Sequence, residues 1–153
     1  MLHMRIRSLM LVAFALASVA GVSAQDRPNF EGTWQIDPAS SRYYGGASTE
    51  TITVEGSKMT ISRIVRGNTA SIVYLLDGTP SKNMVDLAGK QIEMTYTSRW
   101  EGNSLITTIP APAVHRTEKR SIEADGTMKV ELTFDFFKDN KSESSIKVFF
   151  KVA

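Results

Sequence analysis

Seven tight-turn signatures recur at short, regular intervals: Glu55-Gly56-Ser57, Arg66-Gly67-Asn68, Asp77-Gly78, Ala88-Gly89-Lys90, Glu101-Gly102-Asn103, Asp125-Gly126 and Asp139-Asn140. Gly and Asn accept the positive φ that hairpin loops demand, and Asp-Gly suits the type I′ turn. The runs between them are rich in Ile, Val, Thr, Tyr and Phe, and the links are too short for crossover helices. This rhythm predicts a meander of antiparallel strands.

Ten strands are expected, near residues 30–36, 49–55, 58–66, 70–76, 83–88, 91–100, 104–109, 114–123, 127–137 and 143–152. Alternation is clearest in the ninth, where Met128, Val130, Leu132, Phe134 and Phe136 share one face and Lys129, Glu131, Thr133 and Asp135 the other. Period 2 with one wet side marks a half-buried strand. In the sixth, Ile92, Met94, Tyr96 and Trp100 oppose Glu93, Thr95, Thr97 and Arg99. In the tenth, Ile146, Val148, Phe150 and Val152 oppose Lys147 and Lys151, which predicts that the apolar set faces inward. An open meander of this length leaves two edges that invite aggregation. Closure into an up-and-down barrel of about eight to ten strands removes them with short hairpins alone, whereas a Greek-key sandwich needs longer links. Two connections are longer or stiffer than the rest: residues 37–48, and Pro110-Ala111-Pro112.

The first two dozen residues read as an export signal. Arg5 and Arg7 form a basic start, Leu9 to Ala20 an apolar stretch, and Val22-Ser23-Ala24 a small-residue cleavage site before Gln25. The apolar stretch is shorter than the roughly 20 residues a membrane span needs. The expected organisation is a signal peptide over 1–24 and one β-barrel domain over 25–153, secreted or periplasmic after cleavage. The chain has 18 Lys plus Arg against 16 Asp plus Glu. Without Arg5 and Arg7 the balance is formally neutral, which offers no electrostatic footprint for nucleic acid or anionic lipid. The absence of cysteine excludes disulfides, thiol nucleophiles, thiolate metal sites and a cysteine-linked lipid anchor.

The opening strand, Asn29-Phe30-Glu31-Gly32-Thr33-Trp34-Gln35-Ile36, resembles that of the calycins, the lipocalins and fatty-acid-binding proteins, whose first strand carries Gly-x-Trp. Leu76-Asp77-Gly78, Trp100-Glu101-Gly102-Asn103, Ser121 to Met128 and Val148-Phe149-Phe150-Lys151 are similar to segments of small secreted bacterial lipocalin-like proteins. The resemblance spans most of residues 29–153 and implies a calycin barrel. Two departures stand beside it. The 37–48 link is too short for the helix-turn-helix that covers the fatty-acid-binding barrel, and Lys147-Val148-Phe149 stands where that family carries Arg-x-Tyr. Lipocalins pair the motif tryptophan with a late basic residue, for which Lys147 and Lys151 both qualify.

No catalytic pattern emerges. His115 is the single histidine after the leader, and neither H-E-x-x-H nor G-x-S-x-G occurs; it reads as a solvent-facing residue. The carboxylates, Glu118 and Glu131 among them, read as members of solvated polar faces. Trp34 is expected to fill the closed end, with its N–H bonded once. Tyr74, Met94, Tyr96, Phe134 and Phe136 are candidates to line a ligand cavity. Arg63, in phase with Met59 and Ile61, is the candidate for a buried charge facing an acidic ligand group. Tyr43 and Tyr44, beside Gly45-Gly46, are candidates for a loop at the barrel mouth. The expected function is non-enzymatic: sequestration of a small apolar or amphipathic molecule, without cofactor or metal. The alternative is a protein-interaction module, an inhibitor or envelope assembly factor with a filled barrel.

Overall fold

A computed structural model describes residues 27–42, 48–65 and 67–153. The expected leader and Tyr43 and Tyr44 lie outside these residues. Ten strands follow in order: β1 (Gly32–Ile36), β2 (Thr49–Glu55), β3 (Lys58–Val65), β4 (Asn68–Leu75), β5 (Ser81–Leu87), β6 (Lys90–Glu101), β7 (Ser104–Pro110), β8 (Val114–Ile122), β9 (Met128–Phe136) and β10 (Lys141–Val152). The expected boundaries differ by no more than two residues, because turn chemistry fixes the ends. Asn140 at the β9–β10 turn adopts φ 46° and Gly78 adopts φ 90°, the left-handed backbone that those sequences predicted. No helix among the described residues is long and apolar enough to cross a membrane.

All pairings are antiparallel, in the spatial order β4-β3-β2-β1-β10-β9-β8-β7-β6-β5. The sheet curls until its end strands β4 and β5 face one another, giving a nearly closed barrel. No backbone ladder joins these two strands. Two side chains join them instead. The Asn83 amide accepts from the Val73 N–H at 2.8 Å and donates to the Val73 carbonyl at 2.9 Å, and the Ser81 hydroxyl donates to that carbonyl at 2.6 Å. Asn83 thereby reproduces one rung of a ladder, and Val73 keeps both backbone groups satisfied. The β5–β6 ribbon pairs over Ser81–Leu87 with Lys90–Tyr96, while β6 pairs with β7 only over Thr97–Glu101. Beyond that point the ribbon leaves the sheet.

The alternating hairpins place the β1–β2, β3–β4, β5–β6, β7–β8 and β9–β10 links at one end and the remaining turns at the other. The latter end is plugged. Trp34 is buried and donates its indole N–H to the Phe30 carbonyl at 2.8 Å. Phe30 stacks on Trp100 at 6.0 Å, and Ile52, Met59, Tyr74, Leu105, Met128 and Phe149 fill the volume around them. Of the two lysines that the resemblance left open as partners for Trp34, Lys151 is the one beside it, with Nζ 5.5 Å from the ring centre. Gly32 adopts φ +128°, a backbone that residues with a Cβ rarely take, which accounts for glycine at this position.

One expectation about β10 is overturned. Its inward residues are Ser145, Lys147 and Phe149, and the apolar set Ile146, Val148, Phe150 and Val152 faces outward. Register decides this. Phe149 lies opposite buried Met128, and Lys147 opposite buried Val130, so the parity of β9 imposes a face that apolar alternation alone assigned the other way.

Candidate functional site

Above the apolar plug, the barrel carries a belt of charge. β2 and β3 place Glu50 opposite Arg63. β8 turns Arg116, Glu118 and Arg120 inward in succession, because its register puts them opposite Phe134, Leu132 and Val130 of β9. β10 adds Lys147. Glu50 accepts from Arg63 Nε at 3.0 Å through one oxygen and from Arg120 Nη1 at 3.1 Å through the other. Arg116 pairs with Glu118, whose second oxygen accepts from the Tyr74 hydroxyl at 3.1 Å. Tyr96 lies edge-on to Tyr74 at 5.4 Å.

The belt's protonation follows from its packing. Burial alone would raise the Glu50 carboxyl, but the charges of Arg120, Arg63 and Lys147 overcome it and hold it below the ordinary carboxylate range. Burial, reinforced by Arg63, Arg116 and Arg120 and opposed by Glu50, lowers Lys147 to about 8. Burial likewise raises the Tyr74 phenol, so Tyr74 stays a neutral donor to Glu118. Two donors in the belt, Arg116 Nε and Arg120 Nη2, are buried without a protein acceptor. Leaving such a group unpaired costs about 1–3 kcal/mol, or more when it is charged.

A cavity of about 650 Å³ opens at the β4–β5 seam above Asn83. Arg63, Tyr96 and Arg116 lie on its wall, with Val65, Ala70, Ile72, Met84 and Val85 among its apolar lining. Asp86 also borders it, with its carboxylate accepting from the Gly89 N–H at 2.8 Å. The two hairpins flanking the seam carry most of the exposed large apolar side chains: Ile64, Val65, Met84, Leu87 and Ile92. A second, more open groove of about 470 Å³ lies at the plugged end beneath Phe30 and Trp100. Chemically, the seam cavity offers apolar contact at its lips and charge-assisted donors at its floor. Among the described residues no group of three His, Asp or Glu is placed to hold a metal ion.

The expected cavity residues separate. Tyr74 is buried in the core with its hydroxyl in the belt, and Tyr96 is buried on the cavity wall. Met94 and Phe134 are half-buried against the core, and Phe136 is half-buried near the open end. Arg63 does point inward, ion-paired with Glu50. His115 is exposed, edge-on to Phe137 at 4.5 Å. Reading every carboxylate as a solvated surface group is overturned for Glu50 and Glu118, which are buried. Sequence reasoning missed them, with Arg116 and Arg120, because a strand with charge on its inward face looks like any polar strand. The available signal was that β8 has no apolar face between Val114 and Ile122. A central strand of that composition must bury charge.

Neither a family model nor a curated protein sequence matches this chain. Solved structures do. A zebrafish ileal bile acid-binding protein in complex with cholic acid superposes with TM-score 0.59 at 17% identity, covering 80% of this chain and 98% of its own. A fatty acid transporter, REP1-NXSQ, gives TM-score 0.61 at 16% identity, covering 80% and 96%. Fatty-acid-binding protein 1 of Echinococcus granulosus gives 0.60 at 15%, covering 81% and 98%. At these identities the likeness establishes architecture: over the described residues the chain is an all-β, nearly closed barrel of ten antiparallel strands, the fold that these structures share.

Proposed function

We propose that this protein is an exported carrier that sequesters a small amphipathic molecule, apolar end at the seam and acidic head toward the belt. The observation that carries this reading is the seam cavity, whose wall runs from apolar lips to the guanidinium groups of Arg63 and Arg116. Burying apolar surface contributes about 25 cal/mol per Å², and a few charge-assisted hydrogen bonds fix orientation within such a pocket. The bile-acid and fatty-acid ligands named for the structural neighbours are of this chemical kind. Export follows from the leader over residues 1–24 and cleavage before Gln25. The N-terminal mass of the protein recovered from its native host checks it: a chain beginning at Gln25 is expected, and an uncleaved chain contradicts export.

The binding test uses the folded barrel and 1-anilinonaphthalene-8-sulfonate, an apolar fluorophore bearing one negative charge. The native protein is expected to take it up and to release it to dodecanoate at micromolar concentration, with dodecanol at least tenfold less effective. Absence of uptake by folded protein, or equal displacement by the alcohol, contradicts the reading.

A further inference from the structure

Resting on the carrier reading, we infer that the molecule taken up is an extended peptide with a free C-terminal carboxylate, received as a strand between β4 and β5. The lining of the seam cavity carries this. Five consecutive residues of β4, Asn68 to Ile72, and three of β5, Met84 to Asp86, border it. A strand turns alternate side chains to opposite faces, so consecutive residues border one cavity only through the backbone edge. Ser71 makes the point: its hydroxyl pairs with that of Ser62 at 2.9 Å on the outer face, which leaves its main chain to face the cavity.

Register fixes which main-chain groups face the gap. Val73 turns both its N–H and its carbonyl to the seam, where Asn83 meets them. Main-chain groups point to alternate sides along a strand, so Thr69 and Ser71 also face the seam, while Ala70 and Ile72 face β3. On β5, the two-residue turn Ala88-Gly89, with φ 54° and 82°, is closed by Leu87 and Lys90 as a hydrogen-bonded pair, which leaves Met84 and Asp86 facing the seam. Among the described residues no strand lies opposite any of these four. Two rows of main-chain donors and acceptors thus border one cavity, the arrangement to which a peptide adds as a strand. An alkyl chain has no group that answers them, and Asn83 already answers at one level. The β4 row spans about 16 Å, room for about five extended residues. Inward side chains of such a peptide meet Ile72, Val85 and Tyr96, and its terminal carboxylate, the acidic head, meets Arg63 and Arg116. Asp86, whose carboxylate accepts from the Gly89 N–H, disfavours a second acidic group at the outer edge.

Calorimetric titration of the protein at pH 7.4 tests the inference with an N-acetylated pentapeptide of alternating valine and threonine. The free acid is compared with its C-terminal amide, with the same acid N-methylated at alternate peptide bonds, and with dodecanoate. The free acid is expected to bind at micromolar concentration, at least tenfold more tightly than either peptide analogue. It is also expected to slow amide exchange at Ser71 and Met84 at least tenfold, whereas dodecanoate, which hydrogen-bonds through its head alone, leaves both unchanged. Equal affinity of the amide overturns capture of the carboxylate. Equal affinity of the methylated acid, unchanged exchange at Ser71 and Met84, or equal slowing by dodecanoate overturns strand addition. Binding of dodecanoate with refusal of the peptide overturns the inference and leaves the carrier reading standing. Refusal of peptide and dodecanoate alike removes both readings.

Discussion

Glu50 lies 2% exposed between the guanidinium groups of Arg63 and Arg120, the latter equally buried. Breaking such a pair from one side strands charge in a medium that solvates it poorly, at a cost of about 3–5 kcal/mol. Glu50→Gln is expected to lose that much in urea unfolding, whereas Tyr74→Phe, which removes one hydrogen bond to a charged acceptor, is expected to lose about 1.5–3 kcal/mol. Because the folded-state pKa of Glu50 is depressed, its contribution is present above the unfolded carboxylate value and disappears as pH falls through the folded one. Lys147 behaves in the opposite sense. Its folded value near 8 lies below its ordinary 10.5, so the unfolded chain binds more protons between them and the ligand-free protein gains stability as pH rises across that window. Thermal unfolding at pH 7.5 and 9.5 checks this. Lys147→Met should remove that part of the rise, and an unchanged rise would show that Lys147 is not the titrating group.

At the scale of single elements, the seam is the departure from regular sheet. Asn83 and Ser81 hold β4 against β5 at Val73 alone, and the cavity opens directly above. Asn83→Ala leaves the Val73 N–H without its acceptor. Amide exchange at Val73 is expected to quicken by at least tenfold, while β8 and β9 amides in the barrel wall keep their protection. Exchange unchanged at Val73 would mean that the strands are held by other contacts. Strand positions were legible in the sequence because Gly- and Asn-bearing turns punctuate them, and the barrel was legible because short links forbid crossovers. The inward face of β10 was not. Residues 146–152 are apolar or basic on both parities, and only pairing with Met128 and Val130 selects Lys147 and Phe149. Arg63 was legible because Met59 and Ile61 set its phase. Glu50, Glu118 and Arg120 were not, since burial of a charge is a property of its partners, and the contacts Arg120–Glu50 and Tyr74–Glu118 join strands far apart in the chain.

Over the whole molecule the interior is layered: an aromatic and aliphatic plug around Trp34, a belt of paired charge, and a cavity with apolar lips. The plug provides rigidity. Trp34→Ala is expected to destabilise the barrel by about 3–5 kcal/mol, seen as a shifted denaturant midpoint; an unmoved midpoint would contradict its role as the filler of the closed end. The belt is costly to bury, and its carboxylates, Glu50 and Glu118, are each held by arginine. Under the proposed carrier function, Arg63 and Arg116 on the cavity wall give it a preference for an acidic head. Dodecanoate labelled with ¹³C at the carboxyl and bound to the barrel reports on that directly, through the pH dependence of its resonance. A head group at Arg63 and Arg116 must titrate at least one unit below its value in water, and that depression is the predicted result. A bound carboxyl that titrates as it does in solution would place the head in water and contradict the account.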